Sequence, residues 1–207
     1  MTRKLFSCFV GCTAFLCVFL SCAGVKVVDT GVEAGETELF EKIKPVFIVP
    51  AADIKKGNGI EAVFFDQRGT EDGAVLEITV VFYDEDHPSA LTDGLYDFYR
   101  SLKYRRVRDV ETFFFHYNIL GVERSRIDFP GTYAEDQAFY KKGVEHFSAE
   151  VPAARFEYAG SRPVIYVTTW NHLFRESAVE QDLETLTVDD YPVYPGSRAE
   201  VESLIAR

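Results

Sequence analysis

The stretch "VLEITVVFY", residues 75–83, decides the fold. Leu76, Ile78, Val80 and Phe82 alternate with Glu77 and Thr79, the period of a strand that buries one face. Just before it, "IEAVFFD" (60–66) is joined to it by "QRGTEDGA" (67–74), whose glycines and acids mark a hairpin loop. Working outward, "VFIVP" (46–50), "VRDVETFFFHYN" (107–118) and "DLETLTVDD" (182–190) read as further strands. Residues 124–129 read as an antiparallel partner of 107–118, and "ARFEYAGSRPVIYVTTW" (154–170) as a hairpin around Gly160. Helical spacing of Leu91, Leu95, Phe98, Tyr99 and Leu102 predicts a helix from Ser89 whose apolar stripe faces the sheet. Thr132 with Glu135, and Ser197 with Glu200, form two capping-box patterns that predict helices starting there. A shorter helix from Thr37, carrying Leu39, Phe40 and Ile43, is ended by Pro45. Hairpins with helices between them predict an α+β fold: a single domain over 37–207, a mostly antiparallel sheet with about three helices packed on it.

The other end of the chain has a different composition. Arg3 and Lys4 precede an uncharged apolar stretch from Leu5 to Leu20, followed by the small residues Ser21, Cys22, Ala23 and Gly24. This is the order of an export signal. The uncharged run continues to Val25, long enough to span a bilayer, so a retained transmembrane anchor is the alternative. All four cysteines (Cys8, Cys12, Cys17 and Cys22) lie here. No residue after Cys22 is a cysteine, so the rest of the chain has neither a thiol nucleophile nor a Cys-ligated zinc site.

Phe19-Leu20-Ser21-Cys22 resembles the lipobox of bacterial lipoproteins, in the relaxed form familiar from spirochaete-like sequences. The resemblance covers about the first 24 residues. It implies a signal peptide over 1–21, cleaved just before Cys22, with a diacylglyceryl group on the Cys22 thiol and often an acyl chain, such as palmitate, on the freed amine. Residues 22–36 would then be a lipidated cysteine and flexible tether. The location implied is the cell envelope after export across the cytoplasmic membrane, with the membrane as partner through the Cys22 lipid. Removing 1–21 takes away Arg3 and Lys4 and no acid, which moves the net charge from −11 to −13. Such a surface repels nucleic acid and anionic headgroups, so attachment falls to the lipid.

Chemistry is harder to find. P-loop, dinucleotide, zincin and nucleophile-elbow patterns are absent, and no cofactor is expected. "YDEDHPSALTD" (83–93) gathers Asp84, Glu85, Asp86 and His87 at a strand end, where oxygen ligands could meet a hard cation. Pro88 and Ser89 stand where a calcium loop needs its third ligand and its glycine. The other reading starts a helix at Asp86–Pro88. His116 and His172 end two aromatic strands, and if those strands adjoin, Asn118, Trp170 and Asn171 would join them in a pocket with histidine as a general base. "KYRRVR" (103–108) is the sole basic run, suited to lipid phosphates, an acidic partner or a helix C-terminus. The expected function is a lipid-anchored envelope protein, without enzymatic activity, that binds another envelope protein or has a structural role. A membrane-tethered, His-based hydrolase and a carrier of an apolar ligand are the alternatives.

Overall fold

A computed structural model describes residues 34–103 and 107–205. The signal-like stretch and Cys22 lie outside the described residues. The chain runs α1 (Ala34–Ile43), β1 (Val46–Pro50), α2 (Ala51–Lys56), β2 (Ile60–Thr70), β3 (Gly73–Phe82), α3 (Ala90–Lys103), β4 (Asp109–Asn118) and β5 (Arg126–Tyr133). There follow β6 (Phe147–Pro152), β7 (Tyr158–Ala159), β8 (Arg162–Val167), β9 (Phe174–Arg175), β10 (Thr185–Val188), β11 (Val193–Pro195) and α4 (Arg198–Ile205). Strand outweighs helix, 42% against 22%, and one curled sheet carries the fold. Its order is β10-β1-β8-β9-β5-β4-β3-β2-β11, with β6 added on β5 and β7 on β8.

The founding hairpin forms as its alternation requires. β2 and β3 pair antiparallel from Thr70↔Gly73 to Ile60↔Phe82, and β3 then pairs along its length with β4. A side chain at Gly73 would place its Cβ 2.0 Å from the Tyr117 carbonyl oxygen, so the hairpin turn tolerates no side chain there. Leu76, Ile78, Val80 and Phe82 are wholly buried, as the spacing predicts. They join a core rich in phenylalanine. Phe174 lies within 5.3–6.5 Å of Phe47, Phe82, Phe113 and Phe129, and Phe40 of α1 stacks on Phe65 at 4.3 Å. Burying each such ring contributes about 1.5–3 kcal/mol. On the sheet's other face, α4 sets Val201 and Ile205 against Ala62, Phe64, Val81 and Val110.

Four features depart from the sequence reading. The sheet is mixed, so the expectation of a mostly antiparallel one holds only in part: β1 with β8, β2 with β11 and β5 with β9 pair parallel. Helix α2, six residues ended by Gly57 at φ 97°, has no counterpart in the sequence reading, being too short to show a period.

No helix starts at Thr132. Residues 130–133 complete β5, where Tyr133 pairs with Phe147, and the Thr132 hydroxyl donates to the Thr112 carbonyl instead of capping. Glu135 takes a left-handed φ of 49°, which ends any helical path. The following loop is held by Gln137, whose amide donates to the Ala134 and Glu145 carbonyls and accepts from the Glu145 N–H. At Ser197 the helix does start and the Glu200 half of the look-alike box forms, with the Ser197 N–H and hydroxyl both donating to Glu200 Oε2 at 2.7 and 2.9 Å. The two strings, PGTYAE and PGSRAE, share the capping pattern and differ chiefly in what surrounds them. One lies between two strands that recruit it, while the other leaves the sheet edge.

The fourth correction concerns α3. Among its described side chains, Leu95, Phe98, Tyr99 and Leu102 of the stripe are exposed, and Arg100 is buried.

Candidate functional site

A histidine at the end of β8 organises the interior. The β8–β9 turn, "TTWNHLF" (168–174), is closed by the His172 N–H on the Thr169 carbonyl and the Leu173 N–H on the Thr169 hydroxyl. His172 takes φ 58°, a conformation costing a non-glycine residue of order 1 kcal/mol, so its surroundings must fix it. They do so on three sides. Its ring stacks on Phe82 at 3.8 Å and 3°. Nδ1–H donates to Asp109 Oδ2 at 2.9 Å. Nε2 lies 3.1 Å from Asp53 Oδ2, an ion-pair distance without the alignment of a hydrogen bond.

Each partner arrives from a different element. α2 carries Asp53, the first residue of β4 is Asp109, the segment after β3 carries Glu85, and α3 sends Arg100 inward. The Arg100 guanidinium stands 3.6 Å from Asp84 and Asp109 and 3.8 Å from Glu85, with the Tyr96 ring 5.7 Å from its centre. Glu111 follows two residues after Asp109 on the same strand face.

Burial dominates the titration of this group. It opposes the His172 charge, but Asp109 and Asp53 outweigh it and raise the imidazole to about 10. Burial and then the Asp109 charge push Glu85 up to about 8, and the same two causes raise Glu111 well above the usual carboxyl range. For Asp109, burial is again the largest influence, yet its hydrogen bond to His172 and the His172 and Arg100 charges hold it below the ordinary value. At neutral pH the cluster therefore sets the His172 and Arg100 charges against Asp109, with Glu85 holding its proton.

Among the described residues, Glu85, Asp109 and His172 are the one set of three ligand-type groups whose donor atoms fall within 4.8 Å of one another. Their chemistry does not suit a metal ion. His172 Nδ1 spends its proton on Asp109, and Arg100 already supplies the cation facing Asp109 and Glu85. What the arrangement can do is hold a proton between Glu85 and Asp109 and fasten five separate segments together.

The sequence-stated candidates fall in different places. Cys22 lies outside the described residues. His116 is on β4 seven residues from Asp109, roughly 23 Å along the strand and on the opposite face. There its Nε2 meets Asp128 Oδ2 at 2.7 Å. His116 and His172 therefore line no common pocket, and Asn171 turns to His146, donating to Nε2 at 3.1 Å. Asp84, Asp86 and His87 diverge as well. Asp84 faces Arg100 and Asp86 pairs with Lys56 at 3.3 Å. The His87 N–H donates to Asp93 while its ring packs edge-on to Trp170, which organises the start of α3.

Asp53, Arg100 and Asp109 were not singled out from sequence. For Asp109 and Glu111 a signal exists: they share strand parity with Phe113 and Phe115, so two acids sit on a core-facing row. Openings in the surface lie elsewhere. A groove of 830 Å³ beside α4 is lined by Arg68, Glu77, Glu111, Thr112, His146 and Arg198 among others. A more apolar cleft of 420 Å³ lies under α1, against Leu39, Ile43, Phe115, Tyr117, Val122 and Tyr158. Comparison with protein-family models, curated proteins and solved structures finds no match to the chain.

Proposed function

We propose that the protein is a lipid-anchored component of the cell envelope whose domain binds a partner or has a structural role, without turning over a substrate. The observation supporting this reading is the closure of the ionic cluster. His172 is 0% exposed, Asp53 1%, Arg100 3% and Glu85 4%. A general base must come within hydrogen-bond reach of the proton it removes, and a covered imidazole offers no such approach. The cluster acts as an internal fastening. Attachment through Cys22 is supported by the signal-like residues that precede it, and two or more acyl chains hold a domain at a bilayer stably.

Intact mass of the protein extracted from membranes tests the anchor. The expected chain starts at residue 22 and carries the diacylglyceryl and amide-linked acyl mass, both lost in Cys22→Ala. A chain starting at Met1 or Thr2 without lipid would make the segment a transmembrane anchor. An unmodified chain starting beyond 22 would make the protein a secreted one.

The cleft under α1 supports a second reading, the carrier of an apolar ligand between helix and sheet. An apolar naphthylamine dye should then bind one per chain, and Val122→Trp, which fills the cleft, should abolish binding. No dye fluorescence with the parent chain removes this reading.

A further inference from the structure

The sheet splits beside α4. β4 pairs with β5 from Phe114↔Asp128 to His116↔Arg126, and towards the start of β4 the two strands part. There β5 turns to β6 and β9, and the Thr112 carbonyl takes its hydrogen bond from the Thr132 hydroxyl. Glu111, Thr112 and Phe114 line one side of the resulting groove and Pro130, Gly131 and Thr132 the other, with α4 at its rim. Its 830 Å³ is the size of a small-molecule site. The split is also why Glu111, on the core-facing row of β4, meets this groove.

The charges lining the groove pair off until one acid is left over. Arg198 holds Glu202 at 3.0 Å and donates to the Thr112 hydroxyl at 3.2 Å. Arg68 holds Asp66 at 2.9 Å and faces Glu77 at 3.7 Å. His146 is neutral, since Nδ1–H donates to the Gly131 carbonyl while Nε2 accepts from Asn171. Glu111 remains. It is 9% exposed, and among the described residues no hydrogen bond or ion pair reaches it. The charged groups facing it are Asp109 on its own strand, Arg198 on α4, Glu85 after β3 and His172 in the β8–β9 turn. His172 is committed to Asp109 and Arg198 to Glu202. Burial and the Asp109 charge accordingly hold the Glu111 carboxyl well above its ordinary range.

We propose that this groove binds a primary alkylammonium group, seated on Glu111 with its stem along Phe114 and Pro130. The proposal deepens the reading of the domain as a binding module and rests on that reading, not on the anchor. An ammonium supplies the cation that Glu111 lacks. The Thr132 hydroxyl gives its own proton to Thr112, so its oxygen is left as an acceptor on the facing wall. Phe114 and Pro130 offer the apolar surface along which a charged side chain lays its methylenes. Both groove arginines are already held by carboxylates, which disfavours an anion, and the chain's net charge of −11 draws cations in. A lysine side chain of a partner protein and a free polyamine share this chemistry. As the ion pair forms, Glu111 releases its proton to solvent, so affinity rises with pH across the range in which the free groove holds that proton.

Calorimetry on the full chain in non-ionic detergent tests the site, at about 0.15 M salt so that distant surface charges are screened. The probes are acetyl-glycyl-lysyl-glycinamide, the same peptide acetylated on its lysine nitrogen, and spermidine. The free-amine peptide or spermidine should bind one per chain and the acetylated peptide should not. Whichever of the two binds more tightly names the source. Glu111→Gln should weaken binding roughly tenfold, the loss of one charge-assisted contact, while Asp182→Asn at an exposed site far along the chain changes nothing. Affinity should strengthen from about pH 5 to about pH 8 in the parent chain and stay flat in Glu111→Gln. Ala199→Trp, at an exposed position lining the groove, should block the probe without touching a buried group, which separates loss of the site from loss of the fold. Equal binding of the acetylated peptide, equal loss in Asp182→Asn, or no binding of any probe would each overturn the proposal and leave the absence of turnover standing. A pH dependence that survives in Glu111→Gln would place the proton on Glu85 or its neighbours and overturn the role of Glu111. Mass spectrometry of the probe reads turnover separately: a cleaved probe whose binding still needs Glu111 supports the site and overturns the non-enzymatic reading alone.

Discussion

Helices α3 and α4 are both amphipathic and both lie beside the same sheet, yet they present opposite sides to it. α4 buries Val201 and Ile205 on an apolar patch of Ala62, Phe64, Val81 and Val110. α3 meets a region where the sheet and its turns hold Glu85, Asp109 and His172, and it answers with Arg100 and Tyr96. The comparison teaches that a helix's own periodicity states which faces differ, whereas the surface it lands on decides which face goes in. A buried charge left without a partner costs about 3–5 kcal/mol, comparable with what burying two leucines would return.

The largest effect expected from breaking this comparison is at the ionic cluster. Asp109→Ala leaves His172 and Arg100 buried without their shared acceptor and should lower the unfolding free energy by about 3–5 kcal/mol. Urea denaturation followed by circular dichroism measures it. Arg100→Leu should also release α3, seen as fast amide exchange over residues 92–103 while β3 and β4 remain protected. Protection of α3 in that variant would mean that something besides Arg100 fastens it. By contrast, the α4 side is held by shape. Ile205→Ala should cost about 2 kcal/mol, the low end for a buried isoleucine because it ends the helix.

The cluster also gives α3 a pH dependence on the alkaline side, whereas that of α4 lies on the acid side, where Glu200 is held below its ordinary value by the Ser197 N–H and hydroxyl. Glu85 moves from an ordinary 4.5 to about 8 on folding, so the native state holds the extra proton between these values and stability falls as pH rises through them. His172, raised from 6.5 to about 10, acts with the same sign: its contribution is complete below 6.5 and lost as pH passes 10. Asp109, held below its ordinary 3.8, contributes above that value and is lost as pH falls beneath it. Stability, read as the thermal midpoint, should therefore peak near about pH 4 and decline above pH 4.5, by at most about 1.4 kcal/mol per pH unit for each group. Glu85→Gln should flatten the part of the decline between pH 4.5 and 8. A midpoint that rises from pH 5 to 9 would contradict the assignment of protons within the cluster.

How much of this was legible in the sequence follows from the range of the forces involved. Strands β2, β3, β4 and β8, the Gly160 hairpin and α4 are written in local alternation and caps, and they stand where the spacing predicts. The parallel pairings of β2 with β11 and β5 with β9 were not, because short strands such as Val193–Pro195 carry no period and take their place from neighbours far along the chain. The false helix at Thr132 shows the same limit, since its capping pattern is genuine and the sheet overrides it. For the site, His172 was singled out but its partners were not. Asp53, Asp109 and Arg100 come from three elements and converge only in the fold. The two acids on the Phe113 row of β4 were the one available clue, a local rule broken where the interior needs charge.

The smallest effect expected is also the sharpest test of the contrast between the helices. Leu95→Ser and Leu102→Ser remove apolar side chains from what helical periodicity alone would name the core face of α3. If that face were packed, each would cost about 2–5 kcal/mol, as truncations of buried leucine do. Both side chains are 68% exposed, so each substitution should change the unfolding free energy of the protein in detergent-free solution by no more than about 0.5 kcal/mol. Urea titrations of the two variants beside Ile205→Ala make the comparison under one set of conditions. A loss near that of Ile205→Ala, independent of protein concentration, would mean that the stripe packs within its own chain and that α3 is an ordinary core helix. A loss that appears only at high concentration would mean that the stripe is covered by a second copy. A negligible loss at every concentration leaves a helix whose leucines at 95 and 102 contribute little to folding, with Arg100 as its fastening to the sheet.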